Sequence, residues 1–271
     1  MAELPEIAKM AGQMDETLKG KTVGTLTLLQ EKCANIPQAE FQERIGGANV
    51  ARVYNRGKWI FTSLSNGENI LLSLGMGADV LYFENEGKLP EKFQIKLLFT
   101  DGSGYTARFW WFGKFLAAGD AELATEPNTR GIATDPFDKK FTFDYFAGLA
   151  SGKKTQAKAF LMNQKNVGGI GNMYMHDILF KAGLHPQRKL SDLDAAGLKR
   201  LYDAIKGVLE FSRSKGTFAY EGDFFGQKGG YTGDDFLVGY KEGKPCPECG
   251  EKIISIKAGG SQAFLCPVCQ K

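Results

Sequence analysis

Ile7, Met10, Ala11, Met14 and Leu18 recur at helical spacing, which predicts an amphipathic helix over residues 4–20 with Pro5 in its first turn and Gly20 as its stop. The pattern then shortens. Segments near 22–29, 49–55, 58–64, 69–74, 79–83, 93–100 and 105–112 are rich in aliphatic and aromatic residues, and Asn66-Gly67 and Asp101-Gly102 mark hairpin turns. Seven or so short strands behind one helix suggest a β-sandwich. From Ala118 to Lys140 the apolar period fades among Gly, Ala, Pro, Thr and Asp, as expected of an interdomain linker. Helical spacing follows: one helix is expected over about 172–182, stopped by Gly183. Another should open at a capping-box-like Ser191-Asp192-Leu193-Asp194, with Leu198, Leu201, Tyr202, Ile205, Val208 and Leu209 on one face.

The chain is thus α+β, and its 271 residues suit two domains better than one. A content of 43% hydrophobic and 24% charged residues excludes a disordered or fibrous chain. No apolar run approaches the roughly 18 residues of a membrane span. The N-terminal MAELPEIAKM lacks the basic-then-apolar pattern of an export signal, so a cytoplasmic protein is expected. Charge is uneven: 14 basic and 16 acidic residues precede Gly131, against 20 and 15 from there on. No acidic residue lies between Asp144 and Asp177, a window holding Lys153, Lys154, Lys158 and Lys165. Such an excess is either a solvated face or a phosphate-binding one.

Two motifs carry chemistry. Cys246-Pro-Glu-Cys249 and Cys266-Pro-Val-Cys269 are C-x2-C knuckles 16 residues apart, the number and spacing of a four-thiolate zinc site, with a short hairpin expected over 252–264. Disulfides fit a cytosolic chain poorly. One structural Zn²⁺ is expected, because four thiolates leave no open position for water. Cys33, outside the knuckles, reads as a small buried residue. The second motif, Gly168-Gly169-Ile170-Gly171-Asn172, stands immediately before a predicted helix inside the basic window. It is either loop geometry or a phosphate site built from helix-start amides. No Lys-Ser or Lys-Thr pair follows, which excludes a nucleotide P-loop.

Glu3-Leu4-Pro5-Glu6, Arg56-Gly57-Lys58, the run from Asn163 through Gly169-Ile170-Gly171-Asn172-Met173-Tyr174 to His185-Pro186, and the Cys266-Pro-Val-Cys269-Gln270 finger occur in one order along the whole chain. Together they resemble the formamidopyrimidine-DNA glycosylase and endonuclease VIII family. The resemblance implies a helix-and-sandwich domain over 1–130, a helix-two-turn-helix domain over 131–235 and a zinc finger over 236–271, gripping duplex DNA in the cleft between domains. It implies a monomer that excises oxidised bases and nicks the strand at the resulting abasic site through a Schiff base on the N-terminal amine. At pH 7 roughly a tenth of α-amines are neutral, against under about a thousandth of lysines, which explains the use of a terminus. Here the terminus would be Ala2 after removal of Met1, Glu3 would move protons, and Lys58 would pair with phosphate or assist proton transfer.

Met76, Trp110 and Phe112 correspond to the side chains the family inserts into the duplex, although Met76 alone could equally be core. Lys153, Lys158 and Asn172 are the expected phosphate contacts. Three positions depart from the family pattern. Ala2 stands for the proline, and its primary amine gives a neutral imine instead of an iminium. Trp110 stands for an arginine, and Ser261 for the finger's phosphate-binding arginine. These departures motivate an alternative: a catalytically weak relative that binds damaged or distorted DNA.

Overall fold

The computed structural model describes residues 2–271 and divides them into two compact units, the first comprising residues up to 130 with 217–230, the second 131–216 with 231–271. In the first unit, helix α1 (Leu4–Leu18) is followed by β1 (Val23–Leu28), α2 (Gln38–Ile45), β2 (Val50–Arg56), β3 (Trp59–Leu64) and β4 (Glu68–Ser73). The strands β5 (Ala78–Phe83), β6 (Ile95–Phe99), β7 (Gly104–Phe109) and β8 (Lys114–Gly119) complete it. Two antiparallel four-stranded sheets form, in the orders β1-β6-β7-β5 and β2-β3-β4-β8. Val23, Leu26, Leu97 and Phe99 of the first sheet share one core with Val53, Ile60, Ile70 and Phe115 of the second. The predicted apolar stripe of α1 joins that core, so the expected sandwich and its leading helix are found.

Two elements escape the sequence pattern. The 114–119 segment, whose end was expected to begin the linker, is a full strand paired with β4 and buried at Phe115, Leu116, Ala117 and Ala118. Covered on both faces, it has no alternation to reveal it. Its outer side, with Phe61 and Leu71, is sealed by Tyr54, Trp59 and Leu123. Short α2 buries only Phe41 and Ile45.

The second unit holds α3 (Phe143–Ala150), α4 (Ala157–Met162), α5 (Asn172–Lys181), α6 (Ala195–Ser214) and the hairpin β9 (Ile254–Ala258)–β10 (Ser261–Leu265). The expected capping box at 191–194 is replaced by a short 3-10 turn over Leu190–Asp192, and Asp194 alone caps α6 by accepting from Gly197 N–H at 2.7 Å. Among the described residues no helix is long and apolar enough to cross a membrane.

The segment 217–230 lies far along the sequence from the sandwich yet belongs to its unit. Phe224 is wholly buried in the sandwich core, edge-on to Tyr105 at 5.9 Å, and its carbonyl accepts from Tyr82 N–H at 2.9 Å.

Candidate active site and nucleic-acid interface

Glu3 is the N-cap of α1 and shares a reciprocal capping box with Glu6, whose Oε2 accepts Glu3 N–H at 3.0 Å. The turn joining β2 to β3 places Lys58 beside it. Gly57 takes φ 55°, the left-handed conformation that a two-residue hairpin needs at its first central position. Lys58 Nζ stands 4.0 Å from Glu3 Oε1, and the Glu3 side chain is only 1% exposed against 19% for Lys58. A buried carboxylate is therefore held against a cation that reaches solvent, an arrangement able to pass a proton or hold an anion. Ala2 is buried with the core of the same unit. Met1, whose removal the Schiff-base reading requires, lies outside the described residues.

Two loops of the sandwich interlock. Met76 N–H donates to Trp111 O at 2.8 Å and Trp110 N–H to Gly77 O at 2.9 Å. Gly75 sits at φ 59°, where an added Cβ would fall 2.1 Å from Trp111 O, so only glycine permits this approach. Phe112 also adopts a positive φ of 59°. The loops present Met76, Trp110, Trp111 and Phe112 at exposures of 51, 49, 67 and 78%. Such large apolar side chains in contiguous loops mark a contact surface. The Trp110 ring lies on Gly77 and edge-on to Tyr220 at 6.3 Å. Trp110, Tyr220, Asp79, Leu81, Gly226 and Lys228 line a cavity of about 300 Å³.

In the second unit Gln164 shapes the glycine turn: its Oε1 accepts Gly169 N–H at 2.8 Å and its Nε2 donates to Ile170 O at 2.7 Å. Gly171 is the N-cap of α5 and contributes no capping side chain. Asn172, the first helical residue, accepts from Ser261 Oγ at 3.3 Å and donates to Tyr240 OH at 3.4 Å, which ties the helix start to the finger hairpin. Lys153 is exposed, as are Lys154 and Lys165.

Lys158 corrects its expectation. It is 1% exposed, and its ammonium donates to Ser261 O at 2.8 Å and Gln262 O at 2.7 Å. Burial pushes its pKa down. The group expected to meet phosphate instead fastens the finger loop to α4. Nearby His176 is pushed down to about 3 by burial and by the charge of Lys158. Its Nδ1 accepts Phe264 N–H at 3.2 Å, so the neutral ring carries its proton on Nε2.

The four knuckle cysteines bring their sulfurs within 4.8 Å of one another, with 3.8 Å between Cys246 and Cys269 and 3.5 Å between Cys249 and Cys266. Tetrahedral zinc with bonds of about 2.3 Å spaces sulfurs by roughly 3.8 Å. The donor set fits one structural Zn²⁺. Cys33 is buried apart from them, its thiol pushed up by burial.

Comparison with known proteins matches residues 1–110 to the formamidopyrimidine-DNA glycosylase N-terminal domain, 132–219 to its H2TH domain, and 243–271 to the zinc finger found in FPG and IleRS. A formamidopyrimidine-DNA glycosylase of Pelotomaculum thermopropionicum is 30% identical over 278 residues, covering 100% of this chain and 99% of that protein. The chain belongs to the formamidopyrimidine-DNA glycosylase family. A Rhodopseudomonas palustris member is likewise 30% identical, over all of both chains. Two solved Lactococcus lactis FPG structures share the fold. A variant bound to a Fapy-dG containing DNA has a TM-score of 0.88 at 21% identity over 99% of each chain. A complex with an abasic site containing DNA has 0.87 at 20% over 100% of each.

Sequence reasoning missed the residues that hold the 217–230 segment against α1. Gln13 and Asp223 were silent because their partners lie about 210 positions away: Gln13 Nε2 donates to Asp223 Oδ2 at 2.9 Å and Gln13 Oε1 accepts Phe224 N–H at 3.0 Å. Only the Glu3/Glu6 spacing of a capping box was there to be read.

Proposed function

We propose that this chain is a DNA glycosylase that removes oxidised bases from duplex DNA and then cleaves the abasic strand by β-elimination, using the amine of Ala2. The observation that carries the reading is the buried Glu3 carboxylate beside Lys58 at the base of the residue that would bear the nucleophile. In the proposed reaction the neutral Ala2 amine attacks C1′ of the sugar, and the base leaves as the C1′–N bond breaks. The bound nitrogen gives up a proton to the departing base, and Glu3 protonates O4′ as the C1′–O4′ bond opens. The C1′=N bond that forms reacts as its protonated iminium, a form Glu3 can restore when the primary amine's imine loses its proton. That iminium allows the C2′ proton to depart and the 3′ phosphate to be expelled. Lys58 holds the phosphate near the reacting sugar. The finger's contribution is structural: bound Zn²⁺ fixes the hairpin that carries Ser261.

Lys153 and Asn172 serve the phosphate backbone, and a single chain working as a monomer in the cytoplasm supplies every contact. Met76, Trp110 and Phe112 fill the gap left by an extruded base. Truncating Phe112 or Trp110 to Ala should weaken binding to an abasic duplex by about 1–3 kcal/mol, the worth of a lost stacking contact, and leave binding to intact duplex nearly unchanged. Equal losses on both duplexes in a fluorescence titration would contradict the wedge.

Trp110 and Ser261 support the competing reading of a binder without efficient excision, since each takes the place of an arginine. A buried acid near the DNA phosphates weighs against it, because it adds repulsion and gives a binder nothing. Incubation with a duplex carrying one formamidopyrimidine lesion distinguishes the two. Release of the base with a nick ending in β-elimination is expected; tight binding with the base and strand intact would support the binder.

A further inference from the structure

Glu6 holds two backbone donors that lie far apart in the sequence, at residues 3 and 218. Its Oε2 accepts Glu3 N–H at 3.0 Å and its Oε1 accepts Phe218 N–H at 3.1 Å, on a residue only 8% exposed. The first bond fixes the peptide between Ala2 and Glu3, and with it the direction in which residue 2 projects. The second seizes the 217–230 segment at its start. Immediately before it, Gly216 and Thr217 have φ of 76° and 75°. A β-branched residue is strained there, and such strain persists only where the surroundings enforce it.

The same face of α1 continues the grip one and two turns on: Lys9 pairs with Asp223 at 2.9 Å, and Gln13 bonds both Asp223 and the Phe224 amide. Lys9 and Gln13 hold the middle of the segment. Glu6 differs from them in also holding the N-terminus. The Glu3 and Phe218 partners are both N–H groups, so holding the two together takes two acceptor oxygens, which a carboxylate supplies and an amide does not.

We propose that Glu6 is a positioning residue that couples seating of the 217–230 segment to the aim of residue 2, so that the terminal amine points at the sugar only while the segment is down. The consequence for reactivity rests on the proposed lyase chemistry; the coupling itself does not. Glu6→Gln keeps size and removes one acceptor, so its NH2 must face one of the two N–H donors and break that bond.

The test combines amide exchange in the free protein, followed by NMR, with single-turnover borohydride trapping on an abasic duplex. In the wild type the Glu3 and Phe218 amides should both be protected. In Glu6→Gln at least one should exchange 10-fold faster or more, and trapping should slow at least 10-fold while duplex affinity changes less than 3-fold. Adding Thr217→Gly, which relieves the strain, should restore part of the Phe218 protection.

A Lys9→Ala/Gln13→Ala double variant frees the middle of the segment with Glu6 intact. It should lose protection around residues 223–225 and keep both the Glu3 and Phe218 amides protected and trapping near the wild-type rate. Unchanged exchange at both amides in Glu6→Gln would overturn the proposal, as would trapping that falls 10-fold or more in the double variant. That second arm decides the matter even if Glu6→Gln does not fold. A wild type that traps nothing would instead overturn the lyase reading, while the exchange measurements continue to test the coupling.

Discussion

Glu3→Gln should reduce base excision by about 10²- to 10⁴-fold, the range of a lost general acid–base, while leaving the fold intact. The amide is isosteric and its carbonyl can still accept the N–H at the third position of α1, so the capping box survives. What disappears is a proton-carrying group at 1% exposure and the counter-charge of Lys58 at 4.0 Å. Removing a negative charge near DNA phosphates should hold duplex affinity steady or raise it. Rate therefore falls with no loss of affinity, a combination that misfolding does not produce. Single-turnover base release with a parallel titration checks both. Excision within a few-fold of wild type would remove Glu3 from the chemistry.

The second large effect comes from the metal. Loss of Zn²⁺, by chelation or by Cys266→Ser, should lower duplex affinity at least about 100-fold and leave the sandwich folded. The apolar cluster around Cys246 and Cys266 is small, comprising Val238, Ile253 and Phe264 with Phe180 of α5. Against this, apparent zinc-binding energies of about 10–16 kcal/mol are what fold such modules. When the hairpin melts, the carbonyls of Ser261 and Gln262 leave Lys158, and Ser261 leaves Asn172. A buried cation loses its acceptors and the start of α5 loses its brace. The sandwich core contains no finger residue. Zinc release should therefore weaken binding to that extent and spare the sandwich's thermal transition. Stoichiometric zinc loss with binding unchanged would contradict this.

The sandwich and the finger were legible in the sequence because their signals are local. Asn66-Gly67 and Asp101-Gly102 mark their hairpins, and Gly67 and Gly102 take φ of 82° and 84° in the turns. The cysteine spacing announces its metal directly. The 114–119 strand was hidden by burial on both faces, and α2 by having only two buried positions. Lys158 was misread because a lysine in a basic window looks the same in sequence whether it meets solvent or two carbonyls. The seating of 217–230 on the sandwich unit was illegible for a different reason: Glu6, Lys9 and Gln13 reach it across more than two hundred residues, and no periodic pattern encodes such a pairing.

In the proposed lyase reaction residue 2 supplies the nucleophile. Borohydride reduction during incubation with an abasic duplex, followed by digestion and mass spectrometry of protein verified to begin at Ala2, locates any covalent adduct. A reduced sugar–amine bond is expected on the Ala2 nitrogen, formed slowly because the primary amine's imine must first be protonated. An adduct on Lys58 or another lysine, or no adduct while duplex binding persists, would contradict it.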